Sequence, residues 1–215
     1  MDTVHVCRVK ADAFKGLLKV AAKEDVRYYL RGVYVDTANG CLVATNGTTM
    51  LLAKQEFDAK PAPFIIPSEL ITAALKHTKK SAPDVQVSLE VEGTQVRKVR
   101  LDACKGFEIA NEIEGRYPEY RRIIPAAPSG KYAYFDPDLL AALKQGISLV
   151  RGTEGPMPVE VLPNGTGPAV VAGKTSEALG IAMPWKMTGD TNWCAEALVA
   201  FGFKPVAKAD KKVAA

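Results

Sequence analysis

With 215 residues, 47% of them hydrophobic and 24% charged, the chain has the balance of a globular protein with room for one large core or two smaller ones. No apolar run approaches the ~18 residues of a membrane span, and the N-terminus has no signal-peptide pattern, so a cytoplasmic protein without membrane contact is expected. The formal charge of +4 permits nucleic-acid binding without demanding it. Cys7, Cys41, Cys104 and Cys194 lie far apart without a C-x-x-C pair and read as reduced, mostly buried thiols.

The first strand-like run is VHVCRVKA (4–11), followed by DAFKGLLKVAAKED. Asp12 suits an N-cap there, and Phe14, Leu17, Leu18 and Ala21 share one helical face. Three β-type runs come next, RGVYVD, CLVATN and TMLLAKQEF, the first two joined by the hairpin signal TANG. The order then recurs: the short strand PFIIP, a helix SELITAALKHTKK capped by Ser68, and the strands DVQVSLEVE, QVRKVRLDAC and FEIANEI. A third round opens with KYAYF and the helix DPDLLAALKQGISLV, with Asp136 as cap and Pro137 in its first turn. VEVLP, AVVAG and ALGIAMP complete it. The chain thus predicts three copies of strand, helix and three strands, an α+β layout with helices on one face of antiparallel sheets. Two such units can pair around a shared core, which leaves the third without a partner.

Lys15, Lys19 and Lys23 fall at i, i+4 and i+8, one stripe of a helix opposite its apolar face. Like charges so placed repel, and a polyanion relieves the repulsion. Lys76, His77, Lys79 and Lys80 end the second helical segment, and Lys144 and Arg151 belong to the third. Basic stripes on all three helices are expected either to be solvated or to follow phosphates without regard to sequence. His5, in an edge-type strand, and His77, near a helix end, are isolated from each other and from clustered carboxylates. No P-loop, G-x-G-x-x-G or G-x-S-x-G is present, so neither catalytic residues, nor a metal site, nor a cofactor is expected.

Three segments resemble one family. KEDVRYYLRGVYVD (23–36) with VATNGTTML (43–51) is similar to the middle domain of the bacterial DNA polymerase III beta sliding clamp. GRYPEYRRIIP (115–125) resembles the segment joining that family's middle and last domains, and GIAMPWKM (180–187) its C-terminal strand. The resemblance implies a DNA-clamp fold, no catalytic activity, and a role as a processivity factor in DNA replication, with helices turned toward double-stranded DNA. It further implies a cleft for short peptides of DNA polymerase, clamp loader or repair proteins. Carried over by position, the cleft comprises Leu30, Thr45, Gly47, Met50, Pro118, Arg122, Ile123, Ile181, Met183, Pro184 and Met187. The DNA-facing set is Lys15, Lys19, Lys23, Arg27, Tyr28, Tyr29, Lys76, Lys79, Lys80 and Lys144. The chain departs from the family at Asn46, Gly47, Thr48 and Thr49, where an acid–glycine–histidine–arginine stretch is usual, and at Glu24, where a DNA-contacting glutamine is common.

The matching segments divide the chain into a clamp domain (1–125), a half domain (126–190) and a C-terminal segment (191–215) whose basic tail is expected to be disordered. The resemblance implies a shortened relative, in which the family's first domain and half of its last are expected to have no counterpart. A homo-oligomer in which orphan half-domains pair is expected; in a monomer, TNWCAEALVAFGF (191–203) would cap the orphan sheet instead. The alternative function is an adaptor or decoy that captures clamp-binding peptides without encircling DNA.

Overall fold

The computed structural model describes residues 2–92, 96–152, 157–186, 197 and 199–201. Within them the chain runs β1 (Asp2–Lys10), α1 (Ala11–Leu18), β2 (Gly32–Asp36), β3 (Cys41–Thr45), β4 (Thr49–Lys54), β5 (Phe64–Pro67), α2 (Ser68–Leu75), β6 (Asp84–Glu92), β7 (Val96–Ala103), β8 (Gly106–Asn111), α3 (Pro137–Arg151), β9 (Val159–Asn164), β10 (Gly167–Gly173) and β11 (Ala178–Ala182). Single 3-10 turns occupy Tyr28–Leu30 and Tyr120–Ile123. The threefold order of a helix followed by three strands is therefore present, and the fold is an α+β arrangement of antiparallel sheets.

Two sheets form, ordered β1-β6-β7-β8 and β5-β2-β3-β4-β11-β10-β9. The first two units exchange strands: β1 leaves its own unit to pair with β6, and β5 leaves its own to pair with β2. The third unit adds to the second sheet through β4 and β11, where Met50 faces Ile181 and Leu52 faces Leu179. Alternation along these strands sends Leu42, Leu51 and Val171 inward. There they meet Val6, Val87 and Leu101 of the other sheet and Phe14, Ile71 and Leu143 of the three helices. Val43, Met50 and Ile181 point to the opposite face and pack with Leu30, Tyr117 and Tyr120. β3 is consequently buried along its whole length.

α1 and α2 are shorter than the sequence spacing predicts. α1 ends at Leu18, because Val20, Ala21 and Ala22 all bury and the Ala22 N–H donates to the carbonyls of Leu30 and Thr45. An apolar run buried on every side cannot stay on a helical stripe. Asp12 lies inside the first turn, where it binds Lys15 at 2.7 Å and does not cap. α2 ends at Leu75, and Ser68 is its first residue, with a hydroxyl that has no partner. α3 follows expectation: Asp136 accepts from the Asp138 N–H at 2.8 Å, Pro137 occupies the first turn, and left-handed Gly152 closes the end. KYAYF forms no strand; its one ladder contact is a bridge between Tyr134 and Trp185.

α1 and α3 cross at glycines. A Cβ on Gly16 would stand 2.6 Å from the Gly146 carbonyl oxygen, so these backbones meet closely only because neither residue has a side chain.

Candidate functional site

α1 and α2 flank a groove of about 780 Å³. Lys15, Lys19, Lys23, Arg31 and Lys76 line it, against one carboxylate, Glu69. Leu18, Ala21, Ala22, Ala73 and Leu149 supply apolar surface between them. Although Lys19 and Lys23 lie past the end of α1, the turn that follows returns them to the same groove as Lys15. Lys15 is already bound to Asp12; Lys19, Lys23 and Lys76 are exposed. Cations gathered on a concave surface focus a positive potential that favours a polyanion.

The remaining predicted DNA-facing residues stand elsewhere. Lys79 and Lys80 are exposed past α2 and Lys144 is exposed on α3, outside the groove lining. Arg27 is engaged by Asp25 through two side-chain bonds of 3.0 and 2.7 Å, and its guanidinium crosses Gly47, where a Cβ would meet it at 2.5 Å. The bonds from Arg27 hold the Asp25 carboxyl down to about 2. Tyr28 is exposed and meets Tyr29 edge-on at 5.7 Å. Arg31 is the groove cation that sequence reasoning missed; it lies outside any helix, so helical spacing could not find it.

On the opposite face of the seven-stranded sheet, the structure brings part of the predicted cleft together. Leu30, Met50 and Ile181 share one cluster, and the Met183 N–H donates to the Thr48 carbonyl at 2.8 Å. Leu30, Thr45, Met50, Ile181 and Pro184 are buried, however, and so form a floor; Met183 is half-buried. Gly47, Pro118, Arg122 and Ile123 are exposed, and Met187 lies outside the described residues. Beside a cavity of about 530 Å³ at Tyr34, Tyr117 and Pro118, a second open cavity on this face is displaced along the strands. It measures about 460 Å³ and runs between Tyr120, Arg121 and Ile124 on one side and Cys41, Leu52 and Leu179 on the other. Leu52 and Leu179 sit two residues from Met50 and Ile181 on the same strand faces, a period-2 step that could have identified them.

The segment 115–125 is fastened across this face by tyrosines. Tyr117 stacks on Tyr34 at 4.5 Å with the rings 3° from parallel. The Tyr120 hydroxyl donates to Asp36 Oδ2 at 2.8 Å and lies 3.2 Å from the Cys41 sulfur. Burial, followed by these bonds to Cys41 and Asp36, pushes the Tyr120 phenol well above its ordinary value; burial raises the Cys41 thiol as well. Among the described residues no three His, Cys, Asp or Glu side chains gather to hold a metal ion, and no helix is long and apolar enough to cross a membrane.

No family model matches the chain. The beta sliding clamp of Caulobacter vibrioides is 32% identical over 134 residues, covering 55% of this chain and 32% of that relative. The clamp of Vibrio cholerae is 30% identical over 109 residues, covering 48% and 28%. The chain thus spans about a third of the length of the curated relatives it matches. Among solved structures, the DNA polymerase III beta subunit of Thermotoga maritima superposes with a TM-score of 0.61 at 15% identity, covering 87% of this chain and 67% of that one. The Helicobacter pylori beta clamp bound to a DNA ligase peptide gives 0.58 at 13% identity, with coverages of 87% and 67%. The chain has the DNA-clamp fold and resembles the bacterial beta sliding clamps in sequence over about half its length.

Proposed function

We propose that this chain is a sliding-clamp-like binding protein of DNA replication, not an enzyme, and that it holds duplex DNA without sequence preference in the groove between α1 and α2. The observation that carries the reading is the groove's charge: five lining cations, Lys15 among them already paired with Asp12, against one lining carboxylate, between the helices of two equivalent units. Such cations bind phosphates, so DNA binding should be weak and steeply salt-dependent. In a fluorescence-anisotropy titration at ~50 mM salt, duplexes of unrelated sequence should bind alike. Replacing Lys19, Lys23 and Lys76 with alanine should weaken binding and flatten the salt slope by about one unit for each phosphate that is no longer neutralised. An unaffected triple variant would remove the groove from the mechanism.

The outer face is proposed to receive a short peptide with aliphatic and aromatic anchors from a polymerase, clamp loader or repair protein, in the micromolar range, about −8 kcal/mol. The DNA ligase peptide on the Helicobacter pylori clamp supports this reading, as does the cavity where Leu52, Ile124, Ala178 and Leu179 supply apolar lining. Leu179→Glu and Ile123→Glu should each reduce affinity at least about tenfold, equivalent to about 1.4 kcal/mol. Exposed Glu24, beside Lys23, repels phosphate and favours the second reading, an adaptor that holds peptides without DNA. Peptide binding together with no DNA binding at low salt would select it.

A further inference from the structure

One segment of chain belongs to both proposed sites. It leaves the groove at Lys23 and rejoins it at Arg31, since both residues line that groove. Between them, Leu30 is buried in the floor of the opposite face with Met50 and Ile181. At the base of the segment the Ala22 N–H is shared by the carbonyls of Leu30 and Thr45, at 3.2 and 3.3 Å. Midway along it, Arg27 lays its guanidinium on Gly47: a Cβ there would stand 2.5 Å from Nη2, 3.1 Å from Nη1 and 3.2 Å from Cζ. The Asp25 carboxylate holds the guanidinium in place, Oδ1 accepting from Nε at 3.0 Å and Oδ2 from Nη2 at 2.7 Å. Arg27 therefore covers an exposed glycine at the rim of the peptide face. The loop beneath it is held by its own side chains. Asn46 Oδ1 accepts the Thr48 and Thr49 N–H groups at 3.0 and 2.8 Å. Thr45 Oγ1 accepts the Gly47 N–H at 3.0 Å and donates to the Thr49 carbonyl at 2.6 Å. Arg27 is thus a cover and not a prop.

The cover can change partners. The Arg27 side chain is 47% exposed, and an ion pair in contact with water holds weakly. A phosphate presents two oxygens to the guanidinium fork just as a carboxylate does. When the side chain leaves, Asp25 Oδ1 keeps the Arg27 backbone N–H at 2.8 Å, so the carboxylate is not stranded. We propose that Arg27 is a switch between the two sites: a DNA phosphate beside Lys23 and Arg31 draws its guanidinium off Asp25, which uncovers Gly47 and admits a peptide to the rim. Duplex in the groove then raises the affinity for peptide, and peptide raises the affinity for duplex by the same factor. The two states differ in the partner of one side chain, and both ligands favour the same state. This switch presupposes both readings proposed above, duplex in the groove and peptide on the outer face, and adds the coupling between them and its sign.

Anisotropy of a fluorescein-labelled peptide with leucine and phenylalanine anchors tests it. The peptide is titrated with the full chain at ~50 mM salt, with and without a saturating unlabelled duplex. In the wild type the duplex should tighten peptide binding about fivefold or more. Without duplex, Arg27→Ala should bind the peptide as tightly as the wild type does with it, and added duplex should then change nothing. Asp25→Asn, which loosens the pair, should move the duplex-free affinity in the same direction by a smaller factor. If Arg27 only braced the loop, Arg27→Ala would weaken the peptide instead, and that result overturns the switch. In nuclear magnetic resonance spectra, the Arg27 Nε–H and Gly47 amide signals should shift together on addition of duplex. A duplex that binds without changing peptide affinity, or an Arg27→Ala chain that still responds to duplex, overturns the switch and leaves both sites standing. Failure of the wild type to bind duplex, or to bind peptide, overturns the underlying reading and the switch with it.

Discussion

Gly47 shows how one residue type serves two demands at once. Its φ of +89° suits glycine, and the Arg27 guanidinium occupies the space a Cβ would need. Gly47→Ala should destabilise the chain by about 1–3 kcal/mol and displace Arg27, measurable by urea unfolding. Asp25 holds Arg27 from the other side. Its folded pKa is depressed, so its contribution is present above the ordinary carboxylate range and should vanish as the pH falls toward about 2. Beneath the linking segment, Tyr120→Phe removes a donor from Asp36, which is 4% exposed, and should cost about 1–3 kcal/mol. The thiols divide by environment. Burial, reinforced by the Asp58 carboxylate, pushes Cys7 up to about 12, and Cys41 is raised by burial, whereas Cys104 is exposed. Of these three, Cys104 should react first with a thiol reagent at neutral pH, and Cys7 and Cys41 only on unfolding.

Among the elements, the crossing of α1 and α3 is a contact with little tolerance. Gly16→Ala must separate two backbones and should cost about 1–3 kcal/mol, whereas alanine at exposed Lys144 on the same α3 should be nearly neutral. α3 is the helix whose ends the sequence announces most fully, and Asp136→Ala should lower stability by about 1 kcal/mol, read as a shift in melting temperature. α1 and α2 mislead because their lysine-rich extensions continue the helical spacing into turns. What ends α1 is tertiary, the burial of Val20 to Ala22; past the end of α2, His77 meets Glu108 at 2.8 Å. The strands were more legible, since period-2 alternation reports a two-sided environment that each strand feels locally.

For the whole molecule, the seven-stranded sheet crosses the predicted boundary at 125 through β4 and β11. Ending the chain at Pro125 would bare β4 and remove α3 from α1, so the truncated protein should melt well below the full chain or aggregate. A fragment as stable as the parent would instead support an independent 1–125 domain. Most of the proposed cap at 191–203 falls outside the described residues. From the sequence alone followed the α+β class, the threefold order of elements, the resemblance to the clamp family and the lysines of the groove. Each depends on local pattern, either hydrophobic period or short motif. Only the tertiary structure decided that β1 and β5 exchange sheets, that Arg31 joins Lys23 and Lys76, and that Leu30, Met50 and Ile181 form a floor beneath Tyr117 instead of an open trough. Those outcomes depend on which edges meet across long stretches of chain, and on which side chains cover others, quantities that no local period encodes.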